Sequence, residues 1–205
     1  MEEPSGSVAG SGPLQRGFLE PYFAGVVFYR RTAVLPAFSL AGCEYKVDVR
    51  DNQLNQTSNR LGVDFFFQHR ERIMNPLENN VYIGLTRVPE SFEGYTYYMP
   101  SLPVGPASIL PEDMTLRQIK AHRYGVFTYM GQHRPEEISS ITLKDIWYQV
   151  FEVWMPTVKI SLPETFSFER IDYARCTKQY CECDLYYPIE PVQDSGRHVR
   201  QADET

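Results

Sequence analysis

The chain contains two stretches that resemble each other, and this duplication limits it to folds built from two related halves. LPAFSLAGCEY, from Leu35 to Tyr45, aligns with IKAHRYGVFTY, from Ile119 to Tyr129, at a separation of 84 residues. YTYYMPSLPV, from Tyr95 to Val104, aligns with CDLYYPIEPV, from Cys183 to Val192, at a separation of 88 residues. Similar separations at distant points predict an internal repeat with small insertions.

Each half also contains one segment with the apolar spacing of a helix. The segments precede Pro76 and Pro156, which are 80 residues apart, and proline favours the end of a helix. The helical positions are Leu61, Phe65, His69 and Ile73 in the first half and Ile146, Val150, Phe151 and Trp154 in the second.

Runs rich in aromatic and β-branched residues surround both helices and predict strands. These runs are Ala37 to Val47, Asn80 to Val88, Tyr95 to Met99, Ala121 to Met130, Thr165 to Ile171 and Tyr180 to Tyr187. The order predicts an α+β fold with a duplicated β-α-β-β repeat. We expect an antiparallel sheet, two helices on one face and a ligand groove between the repeats. The opposite face would be free to pair with a second copy as a homodimer.

The predicted domain occupies residues 21–192, with repeat one at about 34–104 and repeat two at about 115–192. Residues 1–20 are rich in Ser, Gly, Pro and Glu, and residues 193–205 are polar and charged. Neither end shows hydrophobic periodicity, so both are predicted to be disordered tails.

Charge and hydropathy restrict the partners that we expect. The formal net charge is -6 and the isoelectric point about 5.3, which disfavours phosphate-rich partners and suits a cationic ligand. The sequence has neither a long apolar run nor a basic-then-apolar leader, so we expect no membrane association and a cytoplasmic location. The four cysteines are expected to remain thiols there.

Four segments together resemble the GyrI-like effector-binding domains, which occur in drug-responsive AraC-type and MerR-type regulators and as single-domain proteins. The segments, in the family's order, are LPAFSLAG, YGVFTYMGQH, IWYQVFEVWMP followed by FSFERID, and CDLYYPI. They extend from about Val34 to Val192. About 34 residues precede the first matching strand, too few and too rich in Gly and Pro for a helix-turn-helix module, so no direct DNA binding is expected.

The resemblance implies a ligand-binding carboxylate on the last strand. Family members usually have a glutamate four residues before a proline, and Asp184 occupies that position before Pro188. Because aspartate is one methylene shorter, Glu182 is a second candidate acid. Glu182, Asp184 and Tyr186 share one face of the strand by period two, and the family comparison favours that face as the one beneath the helices.

Aromatic rings around such a carboxylate would suit a hydrophobic cation through apolar contact and cation–π attraction. An aromatic stripe at helical spacing is also typical of a buried core. The candidate ring contacts are Trp147, Phe151, Trp154, Tyr98, Tyr129, Tyr148 and Tyr186.

The resemblance leaves three functions open. The first is a stand-alone protein that binds drug-like molecules in sensing, sequestration or resistance. The second is a hydrolase that opens strained cyclopropane-containing DNA alkylators, with Asp184 or Glu182 as general base. The third is a protein-interaction module similar to the gyrase-inhibiting members of the family.

No cofactor or metal is expected. Cys176, Cys181 and Cys183 form a C-x4-C-x-C pattern that lacks the C-x2-C pairs of common zinc sites and has no histidine nearby in sequence. Gly-rich phosphate loops, a GxSxG elbow and an HExxH motif are also absent from the sequence.

Overall fold

The computed structural model describes residues 20–22, 25–139, 143, 146–158 and 160–191. The tails predicted at residues 1–20 and 193–205 lie outside the described residues, apart from Glu20 in the first strand.

Twelve strands are present among the described residues. Their bounds are β1 Glu20–Tyr22, β2 Gly25–Leu35, β3 Phe38–Gly42, β4 Tyr45–Asp48, β5 Val81–Arg87, β6 Tyr95–Val104, β7 Thr115–Ile119, β8 His122–Gly131, β9 Ile160–Ser161, β10 Phe166–Asp172, β11 Cys181–Pro188 and β12 Glu190–Pro191. The six strand runs predicted from the sequence correspond to seven of them, β3, β4, β5, β6, β8, β10 and β11. The predicted strand from Ala37 to Val47 is divided into β3 and β4.

The first helical segment has four consecutive parts. Helix α1, Val49–Asn55, begins where the Asp48 carboxylate accepts hydrogen bonds from two backbone N–H groups, and it ends at Gln56 in a left-handed conformation. Helix α2, Thr57–Asp64, continues as a π-helical stretch, Phe65–His69, and a 3₁₀ turn, Arg70–Arg72.

The second helical segment comprises residues 146–158. Its central part, Gln149–Trp154, is π-helical, and helix α3, Met155–Val158, follows. The predicted end at Pro156 is therefore wrong by two residues, because a proline near the start of a short final turn breaks no essential hydrogen bond. Separate 3₁₀ turns occur at Pro135–Glu137 and Tyr173–Arg175.

Ten strands form one antiparallel sheet whose order is β1-β2-β8-β11-β10-β5-β6-β3-β7, with β4 also paired to β6. Strands β5 and β10 lie side by side in its interior, and each half then continues outward through β6 or β11. This order is the arrangement expected for two β-α-β-β units related by a pseudo-dyad between β5 and β10. The sequence duplication itself stays a prediction.

A long two-stranded ribbon curves the sheet. Leu35 at the end of β2 pairs with His122 of β8, and Phe38 at the start of β3 pairs with Ile119 of β7. The antiparallel register therefore continues across both two-residue links, so β2–β3 and β7–β8 act as one bent ribbon. As a result, Tyr124 of β8 and Phe38 of β3 both contact the ring of Phe168 in β10.

The two faces of the curved sheet carry separate cores. One core contains residues of both helical segments, including Phe65, Phe66, Val150 and Trp154, packed on strand residues such as Leu185. Both helical segments therefore cover the same face, which we call the helix face, as predicted.

The other core fills the enclosed side of the curved sheet, which we call the inner face. It contains Leu40, Met99, Val126 and Phe168, each at most 3% exposed. The expectation of an open sheet face available for a homodimer is wrong on this point, because curvature already buries that face.

None of the described helices has the length and apolar character needed to cross a bilayer.

Candidate functional site

Glu169 lies on β10, a central strand of the sheet, and faces the helices. It pairs with Gly84 of β5 on one side and with Leu185 of β11 on the other. Its carboxyl group is surrounded by protein atoms, yet the residue keeps part of its surface accessible to solvent. Glu169 is therefore a largely enclosed acid that solvent still reaches in part.

Two tyrosines surround one oxygen of this carboxyl group. Tyr98 of β6 donates a hydrogen bond of 2.6 Å to Oε1 of Glu169, and its own hydroxyl oxygen is hydrogen-bonded to the hydroxyl of Tyr82 of β5. Both tyrosines are at most 4% exposed. This side of the site is therefore made of buried hydroxyl groups and aromatic rings.

The charge of Glu169 is only weakly compensated. Burial raises the pKa of Glu169 to about 7, although the hydrogen bond from Tyr98 acts to lower it. No described arginine, lysine or histidine forms an ion pair with this carboxylate, whereas Glu44, Glu182 and Asp184 are each paired with an arginine. The site is thus set to receive a positive charge or a proton.

A second group of aromatic rings leads from Glu169 towards solvent. Tyr187, a diagonal neighbour of Glu169 on β11, has its pKa raised by burial and by the charge of that carboxylate. Phe151 of the second helical segment meets the Tyr187 ring edge-on at 5.5 Å, and the Trp147 ring lies 4.0 Å from Phe151. Trp147 is 59% exposed, so this aromatic series reaches the surface.

Asp184 lies on the inner face, and its expected position beneath the helices is wrong. It is 7% exposed, accepts a hydrogen bond from Thr128 Oγ1, and lies 3.3 Å from Arg30 Nη1. Period two groups the residues of β11 correctly, but it does not determine which group faces the helices. Cys181, Cys183, Leu185 and Tyr187 take that side.

Glu182 joins the same charged network on the inner face. Arg30 lies 2.8 Å from its Oε1, and Arg175 lies 3.0 Å from its Oε2. Although burial acts to raise the pKa of Glu182, the hydrogen bonds from Arg30 and Tyr180 and the charge of Arg175 hold it below its usual value. Both predicted acids therefore already have cationic partners.

The hollow beside these acids is small. It is lined by Arg170, Asp172, Arg175, Glu182 and Asp184 and has a volume of about 10 Å³, room for about one water molecule. A larger open groove of about 370 Å³ lies beside helix α2, lined by residues that include Asn59, Val63, Phe67 and Glu136.

The predicted aromatic residues fall into three groups. Tyr98 contacts Glu169 directly, and Phe151 and Trp147 belong to the aromatic series that begins at Tyr187. Tyr148 is 59% exposed, and Tyr186 stacks on Phe168 in the inner core at 4.5 Å.

Trp154 and Tyr129 are parts of the core. Trp154 is 2% exposed and stacks on Tyr29 with ring centroids 4.9 Å apart. Tyr129 is 1% exposed, and its hydroxyl is hydrogen-bonded to His133 Nε2 at 2.7 Å. Both side chains are enclosed by protein atoms. This agrees with the alternative that an aromatic stripe at helical spacing belongs to the core.

Four residues of this arrangement were not predicted from the sequence, namely Glu169, Tyr82, Gly84 and Tyr187. Glu169 belongs to FSFERID, one of the segments that carry the family resemblance. The useful signal was its alternation, because period two places Glu169 on the same face as the apolar Ile171. An acid on an apolar strand face is the feature that would have identified it.

In the part of the chain that the structure describes, no group of three or more His, Cys, Asp and Glu side chains is arranged as a metal site.

Comparison with known proteins supports the architecture. The Vibrio cholerae integron cassette protein VCH_CASS2 is 14% identical, with a TM-score of 0.55 over 80% of this chain and 99% of that one. SAV2435, solved bound to tetraphenylphosphonium, is 14% identical, with a TM-score of 0.56 over 82% of this chain and 98% of that one. The EcmrR C-terminal domain is 11% identical, with a TM-score of 0.50 over 80% of this chain and 99% of that one.

None of the curated protein sequences matches this chain significantly. The family model for Cass2, the integron-associated effector binding protein, matches residues 33–189, which include both helical segments and the strands around Glu169. That match extends over well more than half of the 205 residues and confirms the resemblance to GyrI-like domains. The chain therefore belongs to the Cass2 family of integron-associated effector binding proteins.

Proposed function

We propose that this protein binds hydrophobic, cationic small molecules at Glu169 and acts in drug sensing, sequestration or resistance. The observation that carries the proposal is a deeply placed carboxyl group that has aromatic rings on both sides and no basic partner among the described residues. A lipophilic cation would gain apolar contact from the rings and would supply the missing positive charge.

The arrangement favours Glu169 over Asp184 as the ligand contact. Asp184 shares Arg30 with Glu182 and adjoins a hollow with room for about one water molecule, whereas Glu169 is open to a counter-charge. A cation at Asp184 would first have to displace Arg30. SAV2435, which shares the fold, was solved with tetraphenylphosphonium, a molecule of the chemistry that this site would accept.

The test is calorimetric titration with tetraphenylphosphonium, with triphenylphosphine oxide as a neutral aromatic control. We expect wild-type protein to prefer the cation, and Glu169→Gln to weaken cation binding by roughly tenfold or more, the effect of removing a partly buried charge partner. Asp184→Asn serves as the matched control on the inner face. Equal binding of the cation by wild-type protein and Glu169→Gln would refute the proposal.

One observation favours hydrolysis as a second candidate function. A carboxyl group whose pKa is raised to about 7 is suited to act as a general base near neutral pH, and Glu169 could then activate water against a strained cyclopropane-containing alkylator. The test is incubation with such an electrophile. Product formed in excess over protein, and lost in Glu169→Gln, would establish turnover, and a single equivalent would exclude it.

A further inference from the structure

Tyr82 is the outer member of a hydrogen-bonded series that ends on Glu169. An ionised Glu169 can only accept hydrogen bonds, so the single hydroxyl proton of Tyr98 is used on Oε1. The bond between the two tyrosine hydroxyls must then be donated by Tyr82 to the Tyr98 oxygen. The direction of the whole series is therefore determined by the charge on Glu169.

Two glycines leave the space that this series occupies. A Cβ atom at Gly84 would lie 2.2 Å from Oε1 of Glu169 and 2.7 Å from the Tyr98 hydroxyl oxygen. A Cβ atom at Gly62 of helix α2 would lie 2.4 Å from the Tyr82 hydroxyl oxygen and 3.3 Å from that of Tyr98. The series is thus held between a strand and a helix that approach it without side chains.

The remaining groups that face Glu169 are neutral. On β11 its titratable neighbours are Cys183 and Tyr187, and burial, the largest cause, together with the charge of Glu169 raises the pKa of both. Helix α2 approaches this point through Gly62, and no neighbouring charge is among the causes that shift the pKa of Glu169. The tyrosine series is consequently the main stabilising contact of the carboxylate form among the described residues.

We propose that Tyr82 is a positioning residue of this site: acting through Tyr98, it sets the pH range in which Glu169 is charged and able to hold a cation. The proposal rests on the function proposed above and adds its regulation by pH. Donation by Tyr82 polarises the Tyr98 hydroxyl and strengthens its bond to Oε1. Oε2 has no hydrogen bond from a described residue, so it is the oxygen left for the ligand.

Binding of a cation at Oε2 requires that Glu169 has lost its proton. Affinity should therefore rise with pH through the pKa of Glu169 and level off above it, with one proton released for each cation bound below that pKa. Weakening the tyrosine series should move this pH range upward, since the carboxylate form loses stabilisation.

The first measurement is the titration of the Glu169 side-chain carboxyl carbon by NMR in the ligand-free protein, assigned with Glu169→Gln. Tyr82→Phe is expected to raise the titration midpoint by roughly half a pH unit and Tyr98→Phe by more, as expected for loss of an indirect and a direct hydrogen bond. The matched control is Tyr124→Phe, which removes a buried and unpartnered hydroxyl from the inner face. A Tyr82→Phe midpoint equal to that of wild type would overturn the proposal.

The second measurement is the dissociation constant for tetraphenylphosphonium between pH 5.5 and 8.5 in the same variants. We expect the Tyr82→Phe curve to move to higher pH and to meet the wild-type curve at the alkaline end, a change that simple loss of folding would not produce. An unshifted curve would contradict the proposal. If wild-type protein bound no tetraphenylphosphonium, the proposed function would fail, and the NMR titration would still decide whether Tyr82 controls Glu169.

Discussion

Gly84 and Glu169 face each other across β5 and β10, and the missing side chain of Gly84 is what allows the Glu169 carboxyl group to reach Tyr98. A Cβ atom at position 84 would lie 2.2 Å from Oε1, closer than any non-bonded contact allows. The glycine therefore makes room for the Glu169 carboxyl group and is as much a part of the proposed site as the acid.

Gly84→Ala is expected to separate Glu169 from Tyr98 and to reduce tetraphenylphosphonium affinity by about tenfold, with a loss of roughly 1–3 kcal/mol in the free energy of unfolding. Calorimetric titration and urea denaturation measure the two effects. Gly105→Ala is the control, because a Cβ atom there meets only the end of the exposed Leu77 side chain, at 3.0 Å. Wild-type affinity in Gly84→Ala would show that the contact between Glu169 and Tyr98 is not needed.

Glu169 should make the free energy of unfolding depend on pH. Its folded-state pKa of about 7 is above the ordinary value of 4.5, so the folded protein holds this proton more tightly than the unfolded chain. Ionised Glu169 therefore lowers the free energy of unfolding. This loss of stability is absent below about pH 4.5, grows as pH rises, and reaches its full size above about pH 7.

Glu169→Gln removes that loss of stability. We expect it to stabilise the ligand-free protein by on the order of 1–3 kcal/mol at pH 8 and to have little effect at pH 5. Urea denaturation at the two pH values measures the difference. An equal effect at both pH values would mean that Glu169 titrates normally.

Asp184→Asn is expected to lower the free energy of unfolding without changing cation affinity. The substitution weakens the contacts of a buried carboxylate with Arg30 and Thr128, at a cost of about 1–3 kcal/mol. Denaturation and titration with tetraphenylphosphonium distinguish the two effects. A tenfold loss of affinity with unchanged stability would return Asp184 to the ligand site.

The fold was more predictable from the sequence than the site. Repeated segments, alternating strands and two apolar helical stripes were enough for the α+β class and for two helical segments on one sheet face. The ribbon of β2–β3 with β7–β8 was not predicted, because β2 carries the polar run Tyr29 to Thr32 and depends on pairing with β8 for its extended form. Without that ribbon, the enclosure of the inner face could not be foreseen.

Because the enclosure of the inner face was not predicted, the wrong acid, Asp184, was expected beneath the helices. A strand with an enclosed sheet face on one side and helices on the other is buried on both sides, and β11 has this pattern. Alternation then puts Asp184 and Tyr186 on one face of β11 and Cys183 and Tyr187 on the other. It does not show which of the two faces lies beneath the helices. Only the register of β10 with β5, which opposes Glu169 to Gly84, places the acid beside the tyrosines of β5 and β6.

The two tryptophans should separate the groove from the core. Trp147 is 59% exposed and contacts Phe151, whereas Trp154 is 2% exposed and packed between Tyr29 and Phe127. Trp147→Ala should change the free energy of unfolding by less than about 1 kcal/mol, and Trp154→Ala should cost roughly 3–5 kcal/mol.

For ligand binding we expect the opposite, with a larger effect at Trp147 than at Trp154. Because the chain has only two tryptophans, Trp147→Phe leaves Trp154 as the sole indole emitter and Trp154→Phe leaves Trp147. If the aromatic series from Tyr187 through Phe151 to Trp147 forms a wall of the groove, tetraphenylphosphonium should quench Trp147 fluorescence strongly and Trp154 fluorescence weakly. Trp147→Ala should then weaken binding by several-fold, the loss of one cation–π contact. Quenching confined to Trp154 would place the ligand deeper, within the core on the helix face, and would argue against this wall.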